Sequence, residues 1–478
     1  LGVLTTSQVV ALTTAQAAAL TAAQTAGLSS GQITSIETAD LAALKTSVIA
    51  ALTASQLAGL TTTQIAALTT AQKAVLPAAG MSTDQISALT TTEISKLSTA
   101  TIAGLTTTQI QVMSTDQIAA LTTTAIQTLS STQIGALTTS QVAALTTLQA
   151  GALGTTQAAG LTTTQIQALE IADAAKLSTS VINGLSTTQI GALTSPQIAG
   201  LTTTQAASLG TKQLAGMSTA QVASMETADF AALSTTTLAS LSTSQIANLG
   251  PDQFAALSTT SIGALTTTQL GAITNPQFQA LNTTQVASIK STQITGLSTS
   301  QISQIETGDL AALKTNVLAA LNTAQMGALT VDQVASLNTT QFAALTSTQI
   351  GALGTPQIQG LTTLQASKLL ATQASGLTTQ QIAAMETEDL VKLSNSVIAG
   401  LSTDQVAALT ADQAASLTST QIGAMSTAQL AKLGGGNLQS LTTSQIQSLT
   451  STQLAGLTTT QIASLETTDL AQISTSAI

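Results

Sequence analysis

Apolar residues recur along this chain at two fixed places in every eight. From Leu401 the residues run Leu, Ser, Thr, Asp, Gln, Val, Ala, Ala, and at Leu409 the series starts again. With the positions named a to h, a is Leu, sometimes Met or Ile; b is Ser or Thr; c and d are mostly Thr; e is Gln; f is Ile or Val; g and h are small. One continuous helix does not suit this period, because eight residues at 3.6 per turn overshoot two turns by about 80° and the apolar stripe would wind away. Positions b to e instead spell a capping box: a Ser or Thr N-cap accepts from the N3 amide, and the N3 Gln reaches back to the N-cap amide. Positions a and f then fall at N′ and N4, the pair that makes a hydrophobic staple. Each octad therefore predicts one miniature helix of about two turns, from c to the next a, after which the chain bends and caps again.

The departures from the octad keep to helix logic. Pro196, Pro276 and Pro356 fall at d and Pro251 at c, inside the first turn, where a missing amide proton costs nothing. Asn282, Asn322 and Asn338 take the N-cap position b, and Gly154, Gly210, Gly250 and Gly354 also stand there. Single aspartates such as Asp404 and Asp412 sit at d and lysines such as Lys392 and Lys432 at h, matching the helix dipole. Phe230, Phe254, Phe278 and Phe342 all occupy f, and methionines such as Met81 and Met113 replace Leu at a, both as core filling.

The a positions advance by eight from Leu4 to Leu76 and again from Met81 to Ile473. Pro77, Ala78, Ala79 and Gly80 intervene as a turn without a capped helix. The organisation read from this is an octad solenoid over 1–76, a register break at 77–80 and a second solenoid segment over 81–478, forming one continuous elongated repeat domain. Gly434, Gly435, Gly436 and Asn437 occupy b to e near the far end and remove both halves of the box, which predicts the weakest helix there.

A second signal rides on the first. Some octads carry Glu at b and Asp at e: Glu37/Asp40, Glu226/Asp229, Glu306/Asp309, Glu386/Asp389 and Glu466/Asp469, with Glu170/Asp173 as a variant. The octad after each lacks Gln at e and has Val48, Val181, Thr237, Val317, Val397 or Ala477 instead. From Glu226 the marks recur every 80 residues, a super-repeat of ten octads, and the step from Glu170 to Glu226 is seven octads. If the marks share one face, both steps approach whole coils at roughly 3.4 octads, or about 27 residues, per coil. Glu93, at e, is a weaker mark of the same kind.

Composition removes most chemistry. The 478 residues include no Cys, His, Trp, Tyr or Arg, so disulfides, thiolate or imidazole catalysis and imidazole or thiolate metal sites are excluded. Ten Lys against twenty acids give a net charge of −10 without a basic patch, a poor match for nucleic acid. Charged residues make up 6% and the mean hydropathy is +0.39, so the chain must fold or aggregate rather than remain disordered. No apolar run is long enough to insert in a membrane, because Ser and Thr interrupt every octad. The start at Leu1 without Met and the stop inside an octad at Ile478 read as a processed product or a segment of something longer. The Glu/Asp pairs are the candidate Ca²⁺ ligands, weighed against variant caps or local charge pairs with Lys45 and Lys314. Asn282 and Asn338 also begin glycosylation sequons, but both already have a capping role.

The Leu-Thr-x-x-Gln string at Leu60, Thr61 and Gln64 resembles the motif of the Spy and CpxP periplasmic chaperones, a likeness confined to one helix start. Over nearly its whole length the octad array resembles the Ser/Thr-rich repeat regions of large secreted bacterial surface or filament proteins. That resemblance implies an extracellular or cell-surface location and a structural role, with no site residues to transfer. The expected molecule is an all-α solenoid of very short capped helices, one per octad. It has no enzymatic activity, cofactor or small-molecule substrate, and its expected partners are copies of itself in a filament, sheath or stalk. The other reading is an adhesin, or an ice-binding β-solenoid whose Thr runs form a regular face.

Overall fold

The computed structural model describes residues 1–473, so Ala477 lies outside the described residues. Among them the regular structure is all-α: 58 helices of four to six residues and one 3-10 turn, with no strand. The Thr runs therefore form helix starts and not a flat β-face. Thr61 illustrates the start: its backbone is extended, its hydroxyl accepts from the Gln64 amide at 3.2 Å, and its own amide donates to Gln64 Oε1 at 2.9 Å. The helices are shorter than the expected two turns. Thr403–Ala407 ends at g, and Leu60, at a, is fully extended at φ −65° and ψ 140°. That extended residue turns the chain toward the next cap, so position a belongs to the corner.

The chain forms two compact units, Leu1–Leu241 and Ser242–Ile478, with the 77–80 segment inside the first. Within each unit a helix lies alongside the third helix after it, as Ser30–Thr34 does on Ala54–Gly59 and Thr403–Ala407 on Thr427–Lys432. Hydrogen bonds between successive coils join residues 25 to 31 apart, so a coil holds between three and four octads. The expected spacing of about 27 residues falls inside this range.

The interior is filled as the staple pattern requires. Val406, at f, is fully buried and Leu409, at a, is 4% exposed; Phe230, Phe254, Phe278 and Phe342 are all buried. Helices this short are marginal alone and gain their stability from stacking. At the register break, Ala78–Gly80 forms the 3-10 turn, with Pro77 before it making no side-chain cap. It packs against Ala54–Gly59 and Thr99–Ala103, the partners a helix in that place would have. Five residues thus fill one slot of the stack. In the glycine run, Gly435–Gln439 still forms a helix, without a side-chain cap.

Candidate functional site

The most regular polar feature of the molecule is a row of buried glutamines at e. Gln405 is typical: Oε1 accepts from the Ser402 amide at 2.7 Å, and Nε2 donates to the Ala374 and Leu377 carbonyls at 2.8 and 2.7 Å. Those carbonyls lie at the end of a helix one coil earlier and just past it; that of Ala374 also accepts from the Leu377 amide at 3.1 Å. One side chain therefore caps the start of its own helix and the end of another. Gln56, Gln197, Gln293 and Gln365 repeat the arrangement in the same register. Gln8, Gln16 and Gln24, in the first coil, are exposed, which shows that stacking is what buries the row. Sequence reading assigns e only its capping half. The signal for the other half is that Gln holds e where Glu would cap equally well, because only the amide can donate.

The acidic octads interrupt this row. Glu37, Glu170, Glu226, Glu306, Glu386 and Glu466 stand at the N-cap, exposed and without a side-chain capping bond. Asp40, Asp173, Asp229, Asp309, Asp389 and Asp469, three residues on, are buried in the place of Gln. The two members of a pair thus face different surroundings. Lys45 and Lys314 make no ion pair with them, so the reading as local charge pairs is corrected, as is the variant cap for Glu. No three or more acidic, His or Cys residues gather around one point among the described residues. A single buried carboxylate supplies fewer than the six to eight oxygens Ca²⁺ takes. Asp229 Oδ1 accepts from the Thr203 hydroxyl at 2.7 Å, while Oδ2 of Asp173, Asp229 and Asp389 is buried without a partner. Burial, and then the charge of Glu170, raises Asp173; burial, then Glu386 and Glu388, pushes Asp389 up to about 6.

Lys73 and Glu93 form the one ion pair among the described residues, in the coil that contains the 77–80 turn. Lys73 takes an f position, is 3% exposed, and also donates to the Ala66 carbonyl at 2.7 Å. Glu93 takes e and keeps the capping half of the Gln role, accepting from the Thr90 amide at 2.8 Å. Burial opposes ionisation of Glu93, but the hydrogen bonds and charge of Lys73, with Thr90, hold it below the usual carboxylate range. Lys73 is the sole charged residue at f, and that sequence signal could have marked the pair. Glu93→Gln leaves a buried ammonium without its counter-ion and is expected to cost about 3 kcal/mol, read from the denaturant midpoint. The pair's contribution is present above Glu93's unfolded value and fades as pH falls through its lowered folded value, so the cost of Glu93→Gln should be full at neutral pH and shrink in acid.

Capped helices stacked around an apolar interior within each unit, joined coil to coil by a repeated side chain, define a helical solenoid repeat protein. The chain belongs to the ALTTAQ repeat family, whose model matches residues 33–70, 93–123, 119–147, 166–203, 222–259, 302–339, 335–363, 382–419 and 431–467, more than half of the chain. No curated protein matches it. Among solved structures it is similar to the leucine-rich repeat-containing protein LegL7 from Legionella pneumophila, at 16% identity over 49% of this chain and 76% of that one, with a TM-score of 0.12.

Proposed function

We propose that this is a structural protein of the cell exterior, a component of a filament, sheath or surface stalk that associates with copies of itself. The observation that carries this reading is that the specific interaction repeated in most octads, the buried e glutamine, serves to join coil to coil. The exterior supports it: Thr61, Thr62 and Thr63 are exposed, and most of their counterparts along the array are exposed or half-buried, giving a surface of hydroxyls and amides. A net charge of −10 over 478 residues opposes self-association only weakly. Ten lysines and no arginine leave few sites for trypsin-like proteases, which suits a durable external material. No helix of the described residues is long and apolar enough to cross a membrane. Negative-stain electron microscopy over a concentration series, paired with light scattering, tests the proposal. Ordered fibres or sheets growing with concentration are expected, and monodisperse monomers at every concentration would overturn it.

A further inference from the structure

Each acidic octad opens a gap in the glutamine row. At Asp389 the residue in register 28 positions earlier is Leu361, and at Asp173 it is Leu145; elsewhere the carbonyl at this separation accepts from Gln, as Leu377 does from Gln405. The following octad supplies no donor either, since Val397 and Val181 are buried there at e. Short side chains at e do reach that carbonyl when they carry a hydrogen. The Thr237 hydroxyl donates to the Leu209 carbonyl at 3.2 Å, and Asn437 Nδ2 donates to the Leu409 carbonyl in the same 28-residue register. Asn has the size and shape of Asp and differs in having the donor.

We propose that Asp173 and Asp389 are proton-binding joints, in which the neutral acid donates to the carbonyl of Leu145 or Leu361 and closes the coil, and ionisation opens it. Both residues are 2% exposed and each holds one carboxyl oxygen without a partner. A carboxylate buried in the glutamine register can give nothing to the carbonyl 28 residues earlier and is disfavoured by its partial negative charge, whereas a neutral acid can donate to it. The surroundings do not rescue the anion. Asp173 has Glu170 and Lys176 on its own octad and no charge on the helices Thr147–Ala152 and Ser195–Ala199 that pack against it. Asp389 has Glu386, Glu388 and Lys392 on its own octad, Lys368 beside Thr363–Ala366 and Asp412 on Ala411–Ser416, and neither lysine pairs with it.

The raised value at Asp389 has the matching sign. Where the folded value exceeds the unfolded one, the contribution to stability is complete below the unfolded value of about 3.8 and is lost as pH rises through about 6. Hydrogen exchange of the helices Thr355–Gln359 and Thr387–Leu390, corrected for intrinsic rates, reads the joint directly in the full chain. Between pH 4.5 and 7.5 the wild-type protection factor should fall by at least about tenfold, with most of the fall complete by about pH 6. Asp389→Asn, which carries the donor at every pH, should hold its protection flat. A flat wild-type profile, or an Asn variant that falls in step with the wild type, would overturn the proposal. So would restoration of wild-type protection at pH 7.5 by millimolar Ca²⁺ alone, since the gap would then be filled by a cation.

Discussion

Gln405→Leu is expected to destabilise its coil by about 3 kcal/mol while leaving distant coils unchanged. Leucine keeps the bulk of the side chain and removes three hydrogen bonds: from the Ser402 amide and to the Ala374 and Leu377 carbonyls. Each such bond contributes about 1 kcal/mol net, and a buried carbonyl left unpaired adds a desolvation penalty. In an array whose coils touch only their neighbours the loss stays local. Exchange should quicken in Thr403–Ala407 and Ala371–Ala374 and not in helices several coils away. Gln8→Leu is the control, because Gln8 is exposed and its Oε1 meets only Thr5 of its own octad, so its effect should stay below about 1 kcal/mol. Equal effects at the two sites would remove the inter-coil role.

The second large effect is expected at the tightest joints. Gly376 has an ordinary negative φ, so its reason for being glycine is space: a Cβ there would stand 2.1 Å from the Ser347 carbonyl oxygen. The atom in the way is backbone, and relief requires the two helices to move apart. Gly376→Ala should therefore cost about 1–3 kcal/mol, as overpacking does. Gly308→Ala, where nothing lies within 4 Å, should instead stabilise by about 0.5–1 kcal/mol through lost chain entropy. Denaturant midpoints of the two variants should shift in opposite directions. The same close approach recurs at Gly160 on Ser131, Gly216 on Thr187 and Gly296 on Thr267. These contacts step along the chain as the acidic octads from Glu170 to Glu386 do, so the super-repeat fixes tight joints as well as gaps in the glutamine row.

What could be read from the sequence was what depends on neighbours in the chain. The capping box and staple lie within six residues, and Thr61, Gln64 and Ile65 behave as their spacing requires. Prolines at the helix start and Phe at f follow from the same local rules. The second use of Gln was hidden because its acceptors lie 28 and 31 residues away, and only the stack brings them there. The octad predicts helices longer than the four to six residues found, because an apolar residue at the corner looks the same in sequence as one at the end of a helix. The segment 77–80 reads as a break since it lacks a cap, yet three-dimensional stacking requires only that the slot be filled. The acidic pairs look like ligands in one dimension, and the structure turns Glu386 outward and Asp389 inward.

The central claim is that a coil closes between three and four octads, and pairwise cysteine cross-linking tests it most directly. The chain has no native cysteine, so every cross-link reports an introduced pair. Asn275 Nδ2 and Ser300 Oγ, on successive coils, lie 3.4 Å apart, with Asn275 half-buried and Ser300 exposed. Asn275→Cys with Ser300→Cys should be joined rapidly by a short thiol-specific reagent, and Asn275→Cys with Ser291→Cys, two octads on, should not. Cross-linking of the second pair in preference to the first would contradict the account.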